Sequence, residues 1–458
     1  MFPEEFIKRI RTQEYINADA LLHALEEPSP VSIRLNPSKW NKKPENSEPV
    51  PWCETGYYLD KRPSYTLDPL FNSGCYYPQE ASGMFLEQVY RQKISKHENI
   101  RILDLCAAPG GKSTHISSLI GKDGLLVSNE VIRSRASILT ENLSKWGISN
   151  KVVTQSDPSA FRKLTGYFDV VIVDAPCSGE GMFRDEVARR EWSENNSQHC
   201  SERQKRILMD IWPALKEDGI LIYTTCTFNP DENEHNIKWL TGKQKAETEN
   251  LNIQSFKDIK EIEYQGITGY GFYPDRIRGE GLFLSVIRKL ERTGGEPGKS
   301  MKSKFQKAGM EDLKTAGRWT TFSEESFTRM GDEICKLPIP ISEFGYLASN
   351  LRIVMPGTNI FSVRNKDYLP LHELALSDGL KKEAFPVIEL DYENAIAYLR
   401  RENITPQDVP AGWFITAYSG IPLGFAKNIG SRMNNYYPVN RRIRMNKLSP
   451  GSAEIIKW

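Results

Sequence analysis

The sequence lacks the patterns that mark membrane, secreted and metal-binding proteins. It contains no run of about 18 apolar residues that could span a membrane. Its first residues, Met1–Thr12, are charged and amphipathic, unlike a signal peptide. The seven cysteines form no C-x-x-C pair, which disfavours a disulfide framework and a zinc site. We therefore expect a cytoplasmic protein with no membrane partner and no resident metal.

An excess of one charge and the usual nucleotide-binding glycines are also lacking. The formal net charge is +1, so a nucleic acid would have to be bound by local basic patches rather than by an overall field. No G-x-G-x-x-G pattern occurs. The GKS of Gly111–Ser113 does not complete a phosphate-binding loop, because that motif needs a glycine at Cys106. These absences disfavour an NAD-dependent oxidoreductase.

The middle of the chain alternates strictly between strand and helix patterns. Short β-branched runs predict buried strands, and the amphipathic segments between them predict helices. This alternation predicts an α/β fold with a doubly wound, mostly parallel, Rossmann-like sheet. The predicted strands are Ile102–Leu105, Leu125–Ser128, Val152–Gln155, Val170–Val173, Ile220–Thr224 and Leu282–Ile287, and the predicted helices are Lys112–Ile120, Arg133–Trp146, Ser201–Leu215 and Asp231–Leu240.

Smaller modules are predicted on both sides of this sheet, since the chain is long enough for about three domains. The N-terminal module begins with a helix over Pro3–Leu25, and a second helix over Gln79–Gln92 leads into the sheet domain. A stretch rich in Gly, Lys and Ser is typical of an exposed linker. The predicted division is an α+β domain over 1–74, the sheet domain over 75–290, a basic linker over 291–312, a small α+β module over 313–385 and a β-rich domain over 386–458.

Acidic residues follow three successive strands of the predicted sheet. Asp104 ends the first strand before a turn of small residues and glycines, Glu130 ends the second, and Asp157 ends the third. Open α/β sheets bind ligands at the carboxyl ends of their strands, and an acid after the second strand can bind a ribose diol. The pattern suits a nucleoside with a cationic tail, such as S-adenosylmethionine. Asp157 is explained equally well as a helix cap.

Two cysteines follow the next two strands, which are neighbours in a doubly wound sheet. Cys177 lies in the loop after the fourth strand, and Cys226 follows the fifth. A single buried cysteine is usually an inert hydrophobe, but two at adjacent strand ends can share one pocket. Carbon 5 of a pyrimidine becomes nucleophilic only after a thiol adds to carbon 6, an acid takes up charge at N3, and a base later completes elimination. Cys226, Asp174 and Cys177 are residues of those types.

Three motifs together resemble the Nop/Sun family of RNA (cytosine-5) methyltransferases. They are DLCAAPGGK from Asp104, DAPCSGEG from Asp174 and TTCTFNPDENE from Thr224, and the resemblance extends over about residues 75–289. It implies S-adenosylmethionine-dependent methylation with Cys226 as nucleophile, Cys177 assisting product release, Asp174 at the N3 edge and Lys112 on the target nucleotide. The cofactor-binding residues so assigned are Asp104, Cys106, Ala107, Ala108, Pro109, Gly110, Gly111, Lys112, Glu130, Arg135, Asp157 and Asp174.

The flanking segments resemble the bacterial branch of this family, which modifies small-subunit ribosomal RNA and carries a PUA-like RNA-binding domain at residues 386–458. The resemblance implies that Arg34, Asn36 and Tyr77–Ser82 face RNA. The segment from Lys427 to Lys447 contains no acid, and we expect it to bind phosphates and unpaired bases. Its basic and aromatic residues include Arg432, Tyr436, Tyr437, Arg441, Arg442 and Arg444. The expected partner is 16S rRNA or the 30S subunit, bound by a monomer.

A non-catalytic rRNA-binding assembly factor on the same fold is the alternative hypothesis. A factor without activity would tolerate loss of a cysteine or of the acid between them, yet Asp174, Cys177 and Cys226 are all present. Binding of S-adenosylmethionine separates the two hypotheses, because only the enzyme requires it.

Overall fold

The computed structural model describes residues 1–291, 305–365, 367–402, 410–445 and 454–458. These residues form a central ten-stranded sheet and three smaller sheets. No helix within the described ranges combines the length and apolar character needed to cross a bilayer. Most of the predicted basic linker, 291–312, lies outside the described residues.

The N-terminal part of the chain forms helices packed beside a small antiparallel sheet. The single helix predicted over Pro3–Leu25 is wrong, because the chain leaves the helix after Ile10 and restarts where the Asn17 side chain accepts a hydrogen bond from the N–H of Ala20. The sheet order is β2-β3-β1-β4. The helices are α1 (Glu4–Ile10), α2 (Ala18–Ala24) and α3 (Pro69–Asn72), and the strands are β1 (Val31–Leu35), β2 (Ser47–Pro49), β3 (Gly56–Leu59) and β4 (Tyr76–Pro78).

The helix predicted over Gln79–Gln92 is also different in the structure. The chain forms a 3₁₀ turn at Ser82–Phe85, one α-helical turn, α4 (Leu86–Val89), and a wider π-type turn at Tyr90–Ile94. The carboxylate of Glu80 accepts hydrogen bonds from the N–H groups of Ser82 and Gly83. The start of the segment is therefore held by a side chain rather than by regular helical bonds.

The centre of the fold is a sheet of five parallel strands, which confirms the predicted doubly wound α/β architecture. The strand order is β9-β8-β5-β6-β7, and it reverses between β5 and β8. In such sheets the ligand crevice lies at the carboxyl ends of the strands where the order reverses. These strands are β5 (Arg101–Asp104), β6 (Leu125–Asn129), β7 (Lys151–Thr154), β8 (Phe168–Asp174) and β9 (Leu215–Thr225).

Helices cover both faces of this sheet, so alternate residues of one strand enter different cores. Val171 and Val173 belong to one apolar cluster, and Val170 and Ile172 belong to the other. The helix predicted over Ser201–Leu215 starts earlier, because the Ser193 side chain caps it at Asn196. The helices are α5 (Gly111–Leu119), α6 (Arg133–Trp146), α7 (Glu186–Glu191), α8 (Glu194–Ile211) and α9 (Glu234–Lys243).

Antiparallel strands extend the sheet beyond β9. The predicted last strand is present and pairs with β9 in antiparallel orientation, so the sheet is mostly rather than wholly parallel. The added strands are β10 (Ala246–Thr248), β11 (Lys260–Tyr264), β12 (Ile267–Phe272) and β13 (Leu282–Lys289).

The next part of the chain forms a five-stranded sheet of its own and also joins the central one. Its strand β17 pairs with β7, and Phe344 and Leu347 of helix α11 enter a core cluster of the central sheet. The module predicted over 313–385 therefore shares a core with the sheet domain, and its boundaries stay a prediction. The strands are β14 (Gln306–Lys307), β15 (Phe327–Met330), β16 (Glu333–Lys336), β17 (Ile353–Met355), β18 (Thr358–Arg364) and β19 (Asp367–Pro370), and the helices are α10 (Met310–Trp319), α11 (Ile341–Asn350) and α12 (His372–Leu376).

The C-terminal part forms a four-stranded sheet and buries two residues that were expected to bind RNA. Tyr437 is fully buried against Tyr398 and His372, and the largely buried side chain of Arg441 pairs with Glu373. Tyr437 is therefore not placed to stack on a base as expected, and the Arg441 guanidinium is partly neutralised within the protein. Arg432, Arg442 and Arg444 are exposed, and Lys447 lies outside the described residues. The elements are β20 (Val387–Glu389), α13 (Tyr392–Leu399), β21 (Gly412–Tyr418), β22 (Ile421–Asn428) and β23 (Met433–Asn435).

Candidate active site

A cavity of about 740 Å³ lies at the carboxyl ends of β5, β8 and β9, where the strand order reverses. The end of β4 also reaches it through Tyr77–Glu80. Residues predicted from separate strand ends therefore converge on one space. Those that line it are Asp104, Cys106, Ala107, Ala108, Pro109, Gly111, Lys112, Arg135, Asp174, Cys177 and Cys226.

The two cysteines face each other in this cavity. Sγ of Cys177 lies 3.1 Å from Sγ of Cys226, and it accepts a hydrogen bond of 3.3 Å from the N–H of Cys226. The contact with Cys226, followed by burial, raises the pKa of the Cys177 thiol well above its usual value. Cys177 therefore keeps its proton and can donate a hydrogen bond to a thiolate at Cys226.

An ion pair stands beside the thiols. Nζ of Lys112 lies 2.8 Å from Oδ2 of Asp174, and the hydroxyl of Thr224 donates a 2.7 Å hydrogen bond to the other carboxylate oxygen. Burial lowers the pKa of Lys112, but the neighbouring Asp174 outweighs burial and the net shift is upward. Lys112 therefore stays positively charged next to the carboxylate.

Asp104 has the features of a ligand-binding carboxylate. Its Oδ2 accepts a hydrogen bond of 2.7 Å from the Ser113 hydroxyl, whereas its buried Oδ1 has no hydrogen-bond partner among the described residues. Burial raises the pKa of Asp104 to about 7. A buried carboxylate with an unpartnered oxygen at a cavity wall is suited to a positively charged ligand group.

The turn between β5 and α5 is held in place from α6. Arg135 donates a 2.9 Å hydrogen bond to the carbonyl of Ala108, and Asn142 donates one of 2.8 Å to the carbonyl of Pro109. Gly110 precedes the helix with φ of +117°, a conformation that disfavours side chains. Gly110 itself is outside the cavity lining, so its part is to shape the turn.

The two other predicted acids lie outside the cavity lining. Glu130 is buried, accepts a hydrogen bond from the N–H of Ile132, and lies 3.5 Å from Arg135. Asp157 is exposed and caps the turn that begins at Pro158. Their assignment to a cofactor stays a prediction, and for Asp157 the geometry favours the alternative of a helix cap.

Arg34 and Asn36 do not face RNA, contrary to expectation. Arg34 is fully buried, with its guanidinium 4.4 Å from the centre of the Trp146 ring and a hydrogen bond to Thr114. Asn36 is also buried and donates hydrogen bonds to the carbonyls of Gly74 and Trp146. Both side chains join the N-terminal sheet to the central domain.

Two buried glutamates, which the sequence did not single out, hold the two cysteine loops together. Glu180, in the loop after Cys177, accepts a hydrogen bond from the N–H of Phe228 in the loop after Cys226. Conversely, Glu232, beyond Cys226, accepts one from the N–H of Ser178. Each loop thus carries the acid that binds the other. The only sequence feature that could have identified these two glutamates is their position within the motifs DAPCSGEG and TTCTFNPDENE.

Further donors complete this arrangement. Glu180 pairs with Arg9 of α1 at 2.6 Å, which ties the N-terminal helix to the Cys177 loop. The carboxylate of Glu232 also accepts hydrogen bonds from Ser197 and Gln204 of α8. Because these bonds are buried, they fix the loop positions more firmly than exposed contacts would.

The loop after Cys177 passes so close to the backbone of Gly281 and Cys226 that residue 181 must be glycine. The N–H of Gly181 donates a 2.8 Å hydrogen bond to the carbonyl of Cys226. A Cβ atom at this position would lie 2.7 Å from the carbonyl oxygen of Gly281. Any side chain here would therefore push the loop away from Cys226.

Replacement of Glu232 by glutamine is expected to destabilise the protein by about 2 kcal/mol. The carboxylate accepts hydrogen bonds from the N–H of Ser178, the amide of Gln204 and the hydroxyls of Ser178 and Ser197. A neutral glutamine would lose these charge-assisted bonds, keep one acceptor oxygen and force the buried hydroxyls to reverse their direction. Urea unfolding measures this loss of stability. Glu263→Gln, at an exposed acid of β11, is the matched control. Equal stability of the two variants would contradict the inference that Glu232 holds the two cysteine loops together.

One group of metal-ligand side chains lies among the described residues, away from the cavity lining. The ligating atoms of Cys53, Glu87 and His115 are within 4.8 Å of one another. Burial lowers the pKa of His115 to about 4 and raises that of Cys53 to about 12. A neutral ring and a protonated thiol form a hydrogen-bonded cluster around Glu87, which Arg91 also binds. The absence of a resident metal stays a prediction.

Comparisons with known proteins match the chain over most of its length. Residues 92–288 match the model described as 16S rRNA methyltransferase RsmB/F, residues 2–81 the N-terminal domain of 16S rRNA methyltransferase RsmF, and residues 385–443 the methyltransferase RsmF PUA domain. Ribosomal RNA small subunit methyltransferase F of Klebsiella pneumoniae (strain 342) is 30% identical in sequence to this chain, and the match covers 99% of this chain and 98% of the length of that protein.

Another relative and a solved structure agree with these matches. The protein of the same description from Aeromonas salmonicida (strain A449) is 31% identical, over 95% of this chain and 96% of its own. The crystal structure of a methyltransferase homolog protein from Pyrococcus horikoshii has a TM-score of 0.54 and 29% identity, over 63% of this chain and 96% of that one.

Proposed function

We propose, on the premise that the chain belongs to the RsmB/F family of 16S rRNA methyltransferases, that it methylates carbon 5 of a cytidine in small-subunit rRNA through a covalent adduct with Cys226. The observation that carries this proposal is the pair of thiols 3.1 Å apart, beside the Lys112–Asp174 ion pair. A methyltransferase acting on a ring nitrogen or a ribose oxygen would need no thiol nucleophile.

S-adenosylmethionine is the methyl donor of this proposal, and the cavity suits it. The unpartnered carboxylate oxygen of Asp104 matches a cationic sulfonium or ammonium group. The small residues Ala107 and Ala108 leave room for an adenosine moiety beside β5. When bound, S-adenosylmethionine supplies an electrophilic methyl group next to the thiols.

The first step is addition of the Cys226 thiolate to carbon 6 of a cytosine that has been turned out of its stack. The electron pair displaced from the ring moves toward N3, which takes a proton from solvent and then donates a hydrogen bond to the Asp174 carboxylate. Lys112 holds this carboxylate in position, because its ammonium lies 2.8 Å away. Carbon 5 is then nucleophilic and accepts the methyl group.

The second step is elimination, in which Cys177 acts as the base. The pKa of Cys177 is raised chiefly by its contact with Cys226. Once Sγ of Cys226 is bonded to carbon 6 and carries no charge, it no longer raises the pKa of Cys177 in this way. Cys177 can then lose its proton to solvent and remove the proton from carbon 5. The electron pair re-forms the bond between carbons 5 and 6, Cys226 leaves as a thiolate, and the N3 proton returns to solvent.

Bisulfite sequencing of 16S rRNA tests the proposed function. RNA from cells that lack the protein should gain one or more protected cytidines when the purified protein and S-adenosylmethionine are added. Protection that depends on both components supports the proposal. Methylation that appears only at another base or at ribose would contradict it, and RNA binding without S-adenosylmethionine binding would favour an assembly factor.

The affinity for S-adenosylmethionine is expected to rise with pH around neutrality. Since the pKa of Asp104 is raised to about 7, its ionised fraction, and with it the affinity for a cation, should increase about eightfold between about pH 6 and about pH 7.5. Calorimetry on the wild type and on Asp104→Asn checks this. The variant should bind weakly with no such pH dependence, whereas Asp258→Asn, at an exposed acid, should behave like the wild type. A flat wild-type profile would contradict the assignment.

A further inference from the structure

A second depression lies beside the active-site cavity, between α6, β17 and the segment that follows β23. Its volume is about 340 Å³. Three arginines from these separate parts of the chain line it, together with polar and acidic side chains. They are Arg133, Arg352 and Arg441, with Gln155, Asn440 and Glu141. We call this depression the Arg133–Arg352 groove.

The groove carries an excess of positive charge. Arg133 and Arg352 are exposed, and neither has an ion-pair partner among the described residues. The acid in the lining, Glu141, is already bound by Lys145 at 2.7 Å. Arg441 pairs with Glu373 at 3.6 Å, and its Nη1 has no hydrogen-bond partner in the described part of the chain. Unpaired arginines in a concave surface attract phosphate groups.

The groove adjoins the active-site cavity through the first turn of α6. Arg135 lines the cavity, whereas Arg133, two residues earlier, lines the groove. The free N–H groups at the start of this helix add positive potential to the same edge. The first turn of α6 therefore separates the cavity from the groove, and a strand with one nucleotide in the cavity would have to pass over this turn to place a neighbouring phosphate in the groove.

We propose that the Arg133–Arg352 groove binds the sugar-phosphate backbone of the rRNA strand that carries the target cytidine. This inference rests on the proposed function, since it takes rRNA as the substrate. Two arginines and the amides of Gln155 and Asn440 match phosphate and ribose oxygens. A protein-binding surface would instead need an apolar centre, whereas eight of the eleven residues that line the groove are polar or charged.

Binding of naked 16S rRNA to the double variant Arg133→Gln/Arg352→Gln tests the inference. Filter binding at several salt concentrations should show a dissociation constant raised about tenfold or more. The slope of log affinity against log salt should become shallower by about 1.4, because two phosphate contacts are lost. S-adenosylmethionine affinity and the single-turnover rate at saturating RNA should stay at wild-type values. Arg203→Gln/Arg364→Gln, at exposed arginines outside the groove, is the matched control.

Three outcomes would decide whether the Arg133–Arg352 groove binds the rRNA backbone. RNA affinity and salt slope equal to those of the control pair would overturn the inference. A loss seen only with 30S subunits, with naked rRNA unaffected, would overturn it in favour of a ribosomal protein contact. If the wild type methylated no cytidine in rRNA yet the groove variant lost affinity as stated, the groove would stand and the proposed function would fail.

Discussion

Replacement of Cys226 by alanine is expected to lower the rate of methyl transfer to 16S rRNA by more than about 10⁴-fold. In the proposed mechanism the cytosine ring becomes a carbon nucleophile only after a thiol adds to carbon 6, so the loss should fall on the chemical step and not on binding. The affinity for S-adenosylmethionine should remain close to that of the wild type. Transfer of a labelled methyl group under single-turnover conditions measures the effect.

A second cysteine variant controls for the loss of a thiol as such. Cys335→Ala removes a buried cysteine of β16, far along the chain from both cysteine motifs and outside the cavity lining. It should retain methyl transfer at the wild-type rate. Full activity in Cys226→Ala would show that another group, or no nucleophile, activates carbon 5.

Replacement of Cys177 by alanine is expected to trap the RNA on the protein. In the proposed mechanism, addition and methyl transfer need Cys226 and Asp174, whereas removal of the carbon 5 proton needs the thiol that lies 3.1 Å from Cys226. The variant should therefore form about one adduct per molecule and then stop. A band that survives denaturing electrophoresis and disappears after nuclease treatment measures the adduct.

The double variant Cys177→Ala/Cys226→Ala provides the matched control. It should form no stable adduct, because the atom that bonds to carbon 6 is missing. Multiple turnovers by Cys177→Ala at the wild-type rate would mean that a different base completes the elimination, and the assigned role of Cys177 would be wrong.

The sequence predicts the centre of the molecule well because local patterns determine it. The β-branched run of Val170–Val173 is long enough to identify a buried strand, and its alternation with helices implies the parallel order. Once the order is known, the loops that contain Cys177 and Cys226 must be neighbours. The structure brings both thiols, together with Asp104 and Lys112, into one cavity.

The sequence predicts poorly where burial depends on distant parts of the chain. Arg34 resembles an exposed basic residue, yet Trp146 and Thr114 enclose it. Tyr437 stands in a basic stretch that suggests a surface, but the C-terminal sheet packs over it. In both positions a contact between remote segments outweighs the local pattern. A single sequence does not reveal such contacts.

Glu180 and Glu232, the two glutamates that hold the cysteine loops together, illustrate the same limit at the site itself. The run from Asp231 to Glu234 has the composition of a solvated turn. Glu232 becomes a buried ligand of the Cys177 loop only because Ser197 and Gln204 of α8 lie opposite. The motif residues thus divide between Cys226, whose role in chemistry is proposed, and acids that hold the loops at their separation.

The most direct test of the account is mass spectrometry of Cys177→Ala after incubation with 16S rRNA and S-adenosylmethionine. Digestion with nuclease and protease should yield a peptide in which Cys226 carries a single cytidine nucleotide with one added methyl group. An unmodified Cys226 in a variant that still methylates the RNA, or a nucleotide attached to any other residue, would contradict the account.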